Sequence, residues 1–119
     1  PRDTATPADL LELLTAIERG ELLSPSSTAR LRYWMRETRT GPGRLRAGLP
    51  VGWALGHKTG SSATFDGRTP TSNDVGIAYG PRGERIAIVA LLRDSTADAE
   101  GRDALIAAVA EAVVDSLVP

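Results

Sequence analysis

Seven consecutive apolar residues, Ile86-Ala-Ile-Val-Ala-Leu-Leu92, stand between Arg85 and Arg93 and constrain the fold more than the other features of this sequence do. A strand that keeps one face in water alternates apolar with polar residues, whereas a strand that is apolar at each position needs cover on both faces. We therefore expect residues 85–93 to form an inner strand of a sheet that lies between two covering layers.

Two further segments, at 51–60 and 75–79, alternate bulky with small or polar residues in the period-2 manner of strands. In the first segment, glycines and an alanine occupy one face, which leaves room for a ligand to lie against the backbone. The polar, turn-rich residues 61–72 predict a long hairpin connection, and Gly80-Pro-Arg-Gly83 predicts a tight turn. The three strands therefore form an antiparallel meander.

Helix patterns stand on both sides of the strands. Thr6-Pro7 predicts the start of a helix over about 8–19, and Ser24-Pro25 predicts a second helix over about 25–38. Residues 39–50 indicate a loop with one helical turn around 44–47, and a last helix runs from about 97 to 118. The side chains expected to be buried are Leu10, Leu13, Leu14 and Ile17, then Leu31, Trp34 and Met35, then Trp53, and finally Leu105, Ile106, Val109, Val113 and Leu117.

The predicted fold class is α+β, with the element order α-α-β-β-β-α and an antiparallel sheet that is part of a three-layer α/β/α sandwich. Residues 1–50 make the helical part, and residues 51–119 make the sheet and the terminal helix. The last helix covers only one face of the apolar strand, and the first two helices have narrow apolar stripes. We therefore expect a partner chain or a segment outside this sequence to complete the cover.

Composition argues against several functional classes. The 119 residues carry a net charge of −1 and no cysteine, so we expect neither a basic nucleic-acid surface nor a disulfide or cysteine zinc site. Arginines are frequent between Arg30 and Arg46, but no recognition motif accompanies them. The lone His57 lacks companions for a metal site and suits a structural position, and the acids Asp98, Glu100 and Asp103 suit the dipole of the last helix. We expect no metal, cofactor, nucleic acid or membrane as a partner.

The candidate site is the end of the first strand, where Lys58, the only lysine, is followed by Thr59, Gly60 and Ser61. An unpaired strand edge binds an extended amide by strand addition, while an ammonium and a hydroxyl bind a carboxylate. Strict alternation sends Lys58 and Thr59 to opposite faces, so a ligand that contacts both has to lie along the edge. The alternative interpretation is a solvated Lys-Thr-Gly turn.

Several short motifs occur along the chain in one order. They are Thr6-Pro7, Leu23-Ser-Pro25, Tyr33-Trp34-Met35, Thr40-Gly41 before Arg44, Leu49-Pro-Val-Gly-Trp53, Lys58-Thr59-Gly60, Ser72-Asn73-Asp74, Gly80-Pro-Arg-Gly83 and Leu92-Arg-Asp94-Ser95. With these motifs the chain resembles the C-terminal part of a class A serine β-lactamase, within the family that includes penicillin-binding D-alanyl-D-alanine peptidases. His57 and the long connection to Asn73 resemble the extended-spectrum subgroup, in which the hairpin is lengthened.

The resemblance implies roles for five residues. Lys58 would place positive charge beside the catalytic serine and attract the substrate carboxylate, which Thr59 and Ser61 would hydrogen-bond. The backbone N–H of Ser61 would be half of an oxyanion hole, so that Lys58 and Ser61 are the expected catalytic residues. Gly60 would permit close approach of the substrate. Arg44 would support the carboxylate site from behind Thr59.

The same resemblance implies that part of the reaction centre lies elsewhere. Leu55 stands three residues before the only lysine, so the sequence contains no Ser-x-x-Lys motif. Ser72-Asn73-Asp74 has the letters of Ser-Asp-Asn in another order. We expect an N-terminal segment, as a separate chain or a missing part, to supply Ser-x-x-Lys, Ser-Asp-Asn and the Ω-loop glutamate, and we expect the 119 residues alone to be inactive.

The implied function is hydrolysis of β-lactams through a serine acyl-enzyme, in the periplasm or outside the cell and without a cofactor. One alternative is a D-alanyl-D-alanine peptidase or penicillin-binding protein, which acylates in the same way but deacylates slowly. The other is a non-catalytic domain that binds peptides along the strand edge.

Overall fold

The computed structural model describes residues 4–119 as four helices and three strands, and the predictions for residues 1–3 lie outside this range. The elements are α1 (Pro7–Glu18), α2 (Pro25–Arg36), α3 (Leu45–Gly48), β1 (Ala54–Ser61), β2 (Thr69–Tyr79), β3 (Arg85–Ser95) and α4 (Ala99–Leu117). The predicted α+β class is confirmed, and the single helical turn expected in the loop is α3.

The helices begin where side chains satisfy their first backbone N–H groups. The Thr6 hydroxyl accepts from the N–H of Asp9 at 3.1 Å, and the Asp9 carboxylate accepts from the N–H of Thr6 at 3.0 Å. Hydrogen bonds that Thr6 donates to the Asp9 carboxylate, first from the backbone N–H and then from the side chain, hold the pKa of Asp9 below its ordinary value. Asp98 caps α4 in a similar way, accepting from the N–H of Gly101 at 2.8 Å.

The strands pair in the order β1-β2-β3, and both pairings are antiparallel. Within residues 4–119, β2 is the central strand and the outer edge of β3 meets no strand, so β3 does not have the predicted inner position in this chain alone. The apolar character of β3 has another cause. It contacts α1 on one face of the sheet and α4 on the other, so both of its faces are covered by helices.

The main hydrophobic core lies between the sheet and α4. It consists of Leu45, Leu55, Ala78, Ile88, Ala90, Ile106 and Ala110. On the opposite face, α1 and α2 bring Leu14, Ile17 and Met35 against Gly56 and Ile77. The first two helices therefore supply the second layer within this chain, which narrow apolar stripes had not led us to expect.

Gly56 shows what packs against the face of β1 that carries its glycines. A Cβ atom at Gly56 would lie 3.3 Å from Cδ of Arg36 and 3.4 Å from Cβ of Met35. The space at Gly56 is therefore occupied by α2, whereas a Cβ at Gly60 would meet only Cβ of Asn73, at 4.0 Å, so this face remains open at its Gly60 end. The edge of β1, which the candidate site requires, also remains available for a ligand.

Two strand boundaries differ from prediction because of local turns. Gly52 has a φ of +88° and the N–H of Trp53 bonds to the carbonyl of Pro50 at 3.2 Å, so Val51 is fully exposed and β1 begins only at Ala54. At the hairpin, Phe65 pairs with Arg68 around two residues with positive φ. This tight turn extends the ladder, so β2 begins at Thr69 and much of the predicted long connection is strand.

Several predicted core side chains are exposed. Trp34 is 61% exposed, whereas Trp53 is partly buried against the core as expected. In α1, Leu14 is buried but Leu13 is exposed. In α4 the buried positions are Ile106, Ala110 and Val114, while Leu105, Val109 and Leu117 are exposed. The buried side of α4 differs from the predicted stripe because a small residue, Ala110, which the prediction did not include, packs in the core with the sheet.

Glu18 joins the helical layer to the sheet. Its carboxylate accepts from the Tyr79 hydroxyl at 3.1 Å and pairs with Arg85 and Arg32, each at 3.3 Å. The guanidinium of Arg36 lies 5.0 Å from the centre of the Tyr79 ring. Burial, followed by the charge of Glu18 and the hydrogen bond to it, raises the pKa of Tyr79 above its ordinary value of 10.0.

The exposed apolar surface generates a prediction about the chain on its own. A cleft of about 260 Å³ runs beside the free edge of β3 and includes Leu91, Leu105 and Val109. We expect the isolated chain to self-associate and to bind a hydrophobic dye such as ANS, because this surface and the unpaired edge lie together. Leu105→Lys should reduce dye binding, whereas Arg82→Lys should not. A monomer with no dye binding would contradict this expectation.

The Tyr79 environment gives a second prediction. The difference between the ultraviolet titration curves of the wild-type chain and of Tyr79→Phe reports the ionisation of this phenol alone. We expect a midpoint above 10.0 in the native state, because burial and Glu18 both disfavour the phenolate. In denaturing urea the midpoint should return to about 10. A native midpoint at or below the denatured one would show that the contact with Glu18 is absent.

Candidate active site

The outer edge of β1 carries backbone groups that β2 does not use. The N–H of Ser62 donates to the carbonyl of Thr71 at 3.0 Å, which makes these two residues a hydrogen-bonded pair. Such pairs alternate with non-bonded pairs along an antiparallel ladder, so Ser61 and Thr59, opposite Ser72 and Asp74, are not bonded to β2. The N–H groups of Thr59 and Ser61 therefore point outward. We call this outer edge of residues 58–61 the β1 rim.

A contact farther back along the strand supports the same orientation. The hydroxyl of Thr38 donates to the carbonyl of His57 at 2.6 Å, which shows that this carbonyl also points away from β2. Thr38 follows α2 and so covers the edge of β1 just before Lys58. The edge is thus closed by the chain itself at His57 and is open along the rim.

Lys58 and Thr59 meet at the rim although they belong to opposite faces. Lys58 pairs with Val75 on the α2 face of the sheet and is exposed, and its ammonium donates to the carbonyl of Thr59. Thr59 lies on the α4 face, where its hydroxyl is 2.7 Å from that of Thr40. A ligand that contacts both residues has to follow the strand edge, as the sequence predicts.

Arg44 supports the rim from the α4 side. It is only 9% exposed, and its Nη2 donates to the Ser61 hydroxyl at 2.7 Å. Its Nη1 donates to the carbonyls of Asn73 at 2.8 Å and Gly60 at 3.3 Å, and its Nε donates to Asp103 at 2.9 Å. The structure therefore brings Arg44 together with Gly60 and Ser61. Its side chain is buried and is not a solvated surface arginine.

Sequence reasoning missed the partner of Arg44. Asp103 was assigned to the dipole of α4, but its carboxylate forms the ion pair with Arg44. Thr40 and Thr38 were also given no role. Asp103 lies 59 residues from Arg44, and Thr40 lies 19 residues from Thr59. No local sequence pattern identifies partners at such distances.

Beneath the rim lies a fully buried polar pair. His57 and Asp74 are both 0% exposed, and His57 Nδ1 lies 2.8 Å from Asp74 Oδ1. The other carboxylate oxygen, Oδ2, accepts from the backbone N–H of Leu45 at 3.2 Å. The structural interpretation of His57 is consistent with this position. Within residues 4–119, no group of three or more histidine and acidic side chains could hold a metal ion.

The rim therefore presents an ammonium, two outward backbone N–H groups and two hydroxyls backed by a guanidinium. All of these groups suit an anion or a carbonyl oxygen that becomes negative during a reaction. Clefts of about 220 Å³ beside Glu18 and about 410 Å³ between α3 and α4 lie away from it. None of the helices within residues 4–119 has the length and hydrophobicity of a membrane-spanning segment.

Comparison with known proteins agrees with the resemblance found in the sequence. A model of the β-lactamase enzyme family matches residues 1–117. The extended-spectrum β-lactamase PER-1 of Pseudomonas aeruginosa is 40% identical over 100 residues, and the β-lactamase FAR-1 of Nocardia farcinica is 37% identical over 116 residues. The crystal structure of the TLA-1 extended-spectrum β-lactamase superposes with a TM-score of 0.93 at 40% identity. The predicted resemblance to class A β-lactamases is thereby confirmed.

The matches cover nearly all of this chain but a minor part of its relatives. The alignments span 84% of the chain and 32% of PER-1, and 98% of the chain and 36% of FAR-1. The TLA-1 superposition spans 97% of the chain and 42% of that structure. The chain therefore spans about a third to two fifths of the length of these proteins.

The contact between Gly41 and Thr59 gives a third prediction. Gly41 has a φ of +60°, and a Cβ there would lie 2.7 Å from Cγ2 of Thr59, whereas a Cβ at Gly20, φ +71°, would meet nothing within 4 Å. We expect Gly41→Ala to lower the free energy of unfolding by about 1–2 kcal/mol more than Gly20→Ala does. Both variants share the backbone strain, so urea unfolding of the pair isolates the contact. Equal losses would mean that the loop does not pack on Thr59.

Proposed function

The chain belongs to the β-lactamase enzyme family, and from that premise we propose that its 119 residues are the C-terminal portion of a β-lactamase/transpeptidase-like domain. Residues 1–50 give the helical part of this portion, and residues 51–119 give the sheet and terminal helix. The complete enzyme hydrolyses β-lactam antibiotics through a serine acyl-enzyme, and this chain forms the substrate-binding side of the site. The observation that carries the proposal is the open β1 rim, with Lys58 at it and Arg44 behind it.

The groups at the rim divide the work of substrate binding and catalysis. The ammonium of Lys58 attracts the substrate carboxylate, and the hydroxyls of Thr59 and Ser61 hydrogen-bond it. Arg44 donates to Ser61 and holds the end of β1 in place. Gly60 has no side chain to obstruct a substrate that lies along the strand.

The backbone N–H of Ser61 points away from β2 and donates to the carbonyl oxygen of the β-lactam. That oxygen becomes negative when the serine attacks, so a fixed donor stabilises the transition state more than the ground state. One such donor contributes roughly 3–4 kcal/mol to the lowering of the barrier. A donor at the end of a strand held by Arg44 needs little reorganisation during the reaction.

The remaining catalytic groups come from an N-terminal portion, either a separate chain or a part of a longer polypeptide. This portion supplies the Ser-x-x-Lys nucleophile, Ser-Asp-Asn and the Ω-loop glutamate, because Lys58 is the only lysine here and no serine stands three residues before it. The 119 residues alone are inactive. By family, the complete enzyme works in the periplasm or outside the cell, and it uses no metal or other cofactor.

Two other functions use the same rim. A D-alanyl-D-alanine peptidase or penicillin-binding protein differs in deacylating slowly, which depends on the glutamate of the N-terminal portion. A peptide-binding domain without catalysis is supported by the outward N–H groups of Thr59 and Ser61, since an unpaired edge accepts an added strand.

The test uses the complete enzyme, meaning this chain joined or mixed with its N-terminal portion. We expect it to turn over nitrocefin many times, while the 119-residue chain alone does not. A single stoichiometric burst with a stable acyl adduct in the mass spectrum would instead identify a penicillin-binding protein. Binding of an extended peptide with neither burst nor turnover would identify the peptide-binding domain.

A fourth prediction concerns Lys58. We expect Lys58→Ala in the complete enzyme to lower kcat/KM for nitrocefin about a hundredfold or more, because a charge that meets the substrate is lost. The melting temperature should stay unchanged, since Lys58 is exposed. Arg93→Ala removes a side chain that is 89% exposed on β3 and serves as the matched control for net charge. If Lys58→Ala unfolds the enzyme, or if both variants lose activity equally, the assignment of the rim is wrong.

A further inference from the structure

The buried pair of His57 and Asp74 has no part in the substrate contacts proposed above, yet it lies directly under the rim. The two side chains share one face of the sheet and come from neighbouring strands, with Gly76 opposite His57 and Thr59 opposite Asp74. A Cβ at Gly76 would lie 2.8 Å from Cβ of His57, so the glycine makes room for the imidazole to reach Asp74. The arrangement depends on three positions of the sequence together.

This pair is costly as a purely structural feature. Both residues are 0% exposed, and of the polar atoms in the imidazole, Nε2 has no hydrogen-bond partner among residues 4–119. Apolar residues of similar volume are often as stable as a buried ionisable pair, or more so. A function of the pair in fixing geometry would account for its presence in the core.

The geometry that the pair fixes is that of Arg44. Asp74 Oδ2 accepts from the N–H of Leu45, the residue that follows Arg44 and opens α3. The carbonyl of Asn73, the residue before Asp74, accepts from Arg44 Nη1 at 2.8 Å. Asn73 thus holds Arg44 through its backbone carbonyl, and Asp74 holds Leu45 through its side-chain carboxylate.

We propose that the buried His57–Asp74 pair positions Arg44 against the β1 rim and so sets the affinity of the site for the carboxylate of the substrate. The inference rests on the proposed function. His57 donates to Asp74 and orients its carboxylate, Asp74 holds the N–H of Leu45, and the guanidinium is thereby aimed at Ser61. His57 and Asp74 are positioning residues, since neither contacts the substrate.

The test compares Asp74→Ala, Arg44→Ala and the double variant in the complete enzyme, with nitrocefin as substrate. We expect Asp74→Ala to raise KM about tenfold, the effect of losing a hydrogen bond to a charged group, with kcat changed less than about twofold. In the double variant KM should equal that of Arg44→Ala, because both changes act through one guanidinium. A merely structural role of Asp74 predicts instead that the two effects multiply.

His57 supplies an independent variant if Asp74→Ala does not fold. His57→Phe keeps an aromatic ring but removes the donor, and should also raise KM. His57→Asn places an amide donor near the position of Nδ1 and should restore KM towards the wild-type value.

The outcomes separate this inference from the proposed function. A wild-type complete enzyme that does not hydrolyse nitrocefin overturns both. A wild-type enzyme that does, with KM unchanged in folded Arg44→Ala, Asp74→Ala or His57→Phe, overturns the positioning role alone. The positioning role is also overturned if the KM changes of the two single variants multiply in the double variant, or if His57→Asn does not restore KM.

Discussion

The rim depends on one buried cation. Arg44 lies between the loop after α2, the ends of β1 and β2, and the start of α4, and it donates to a partner in each of the last two regions. A guanidinium stays charged at any pH the protein meets, so burying it without partners would be costly. Asp103 balances the charge and three oxygens accept from three of the four other N–H donors, which fixes the direction in which Ser61 lies.

The position of β1 at the edge of the sheet explains why a simple strand can serve as a binding site. Half of its backbone groups bond to β2, and the others point outward, where Thr38 covers the carbonyl of His57. The side chains alternate between two faces, but the ammonium of Lys58 bends to the carbonyl of Thr59 and so joins the outward groups. The two helical layers keep the strand rigid, so its free edge presents fixed donors rather than a flexible segment.

The sequence predicted those parts of the fold that depend on local patterns. Caps and prolines located α1, α2 and α4, alternation located β1 and β2, and a continuous apolar run located β3, because these features act within a few residues. It failed where distant contacts decide. Trp34 is exposed although its helical position suggested the core, and β3 lies at an edge within residues 4–119 although its composition suggested the centre. The same holds for the candidate site. The sequence predicted the local motif Lys58-Thr59-Gly60 but not the distant pairing of Arg44 with Asp103.

The central claim is that the outward N–H of Ser61 faces the reacting carbonyl, and amide NMR of the complete enzyme tests it directly. An aryl boronic acid bound to the serine would mimic the tetrahedral intermediate. The account predicts a large downfield shift for the Ser61 amide proton and a smaller one for Thr59, while Lys58 and Gly60, which bond to β2, change little. Equal shifts along all four residues, or none at Ser61, would contradict it.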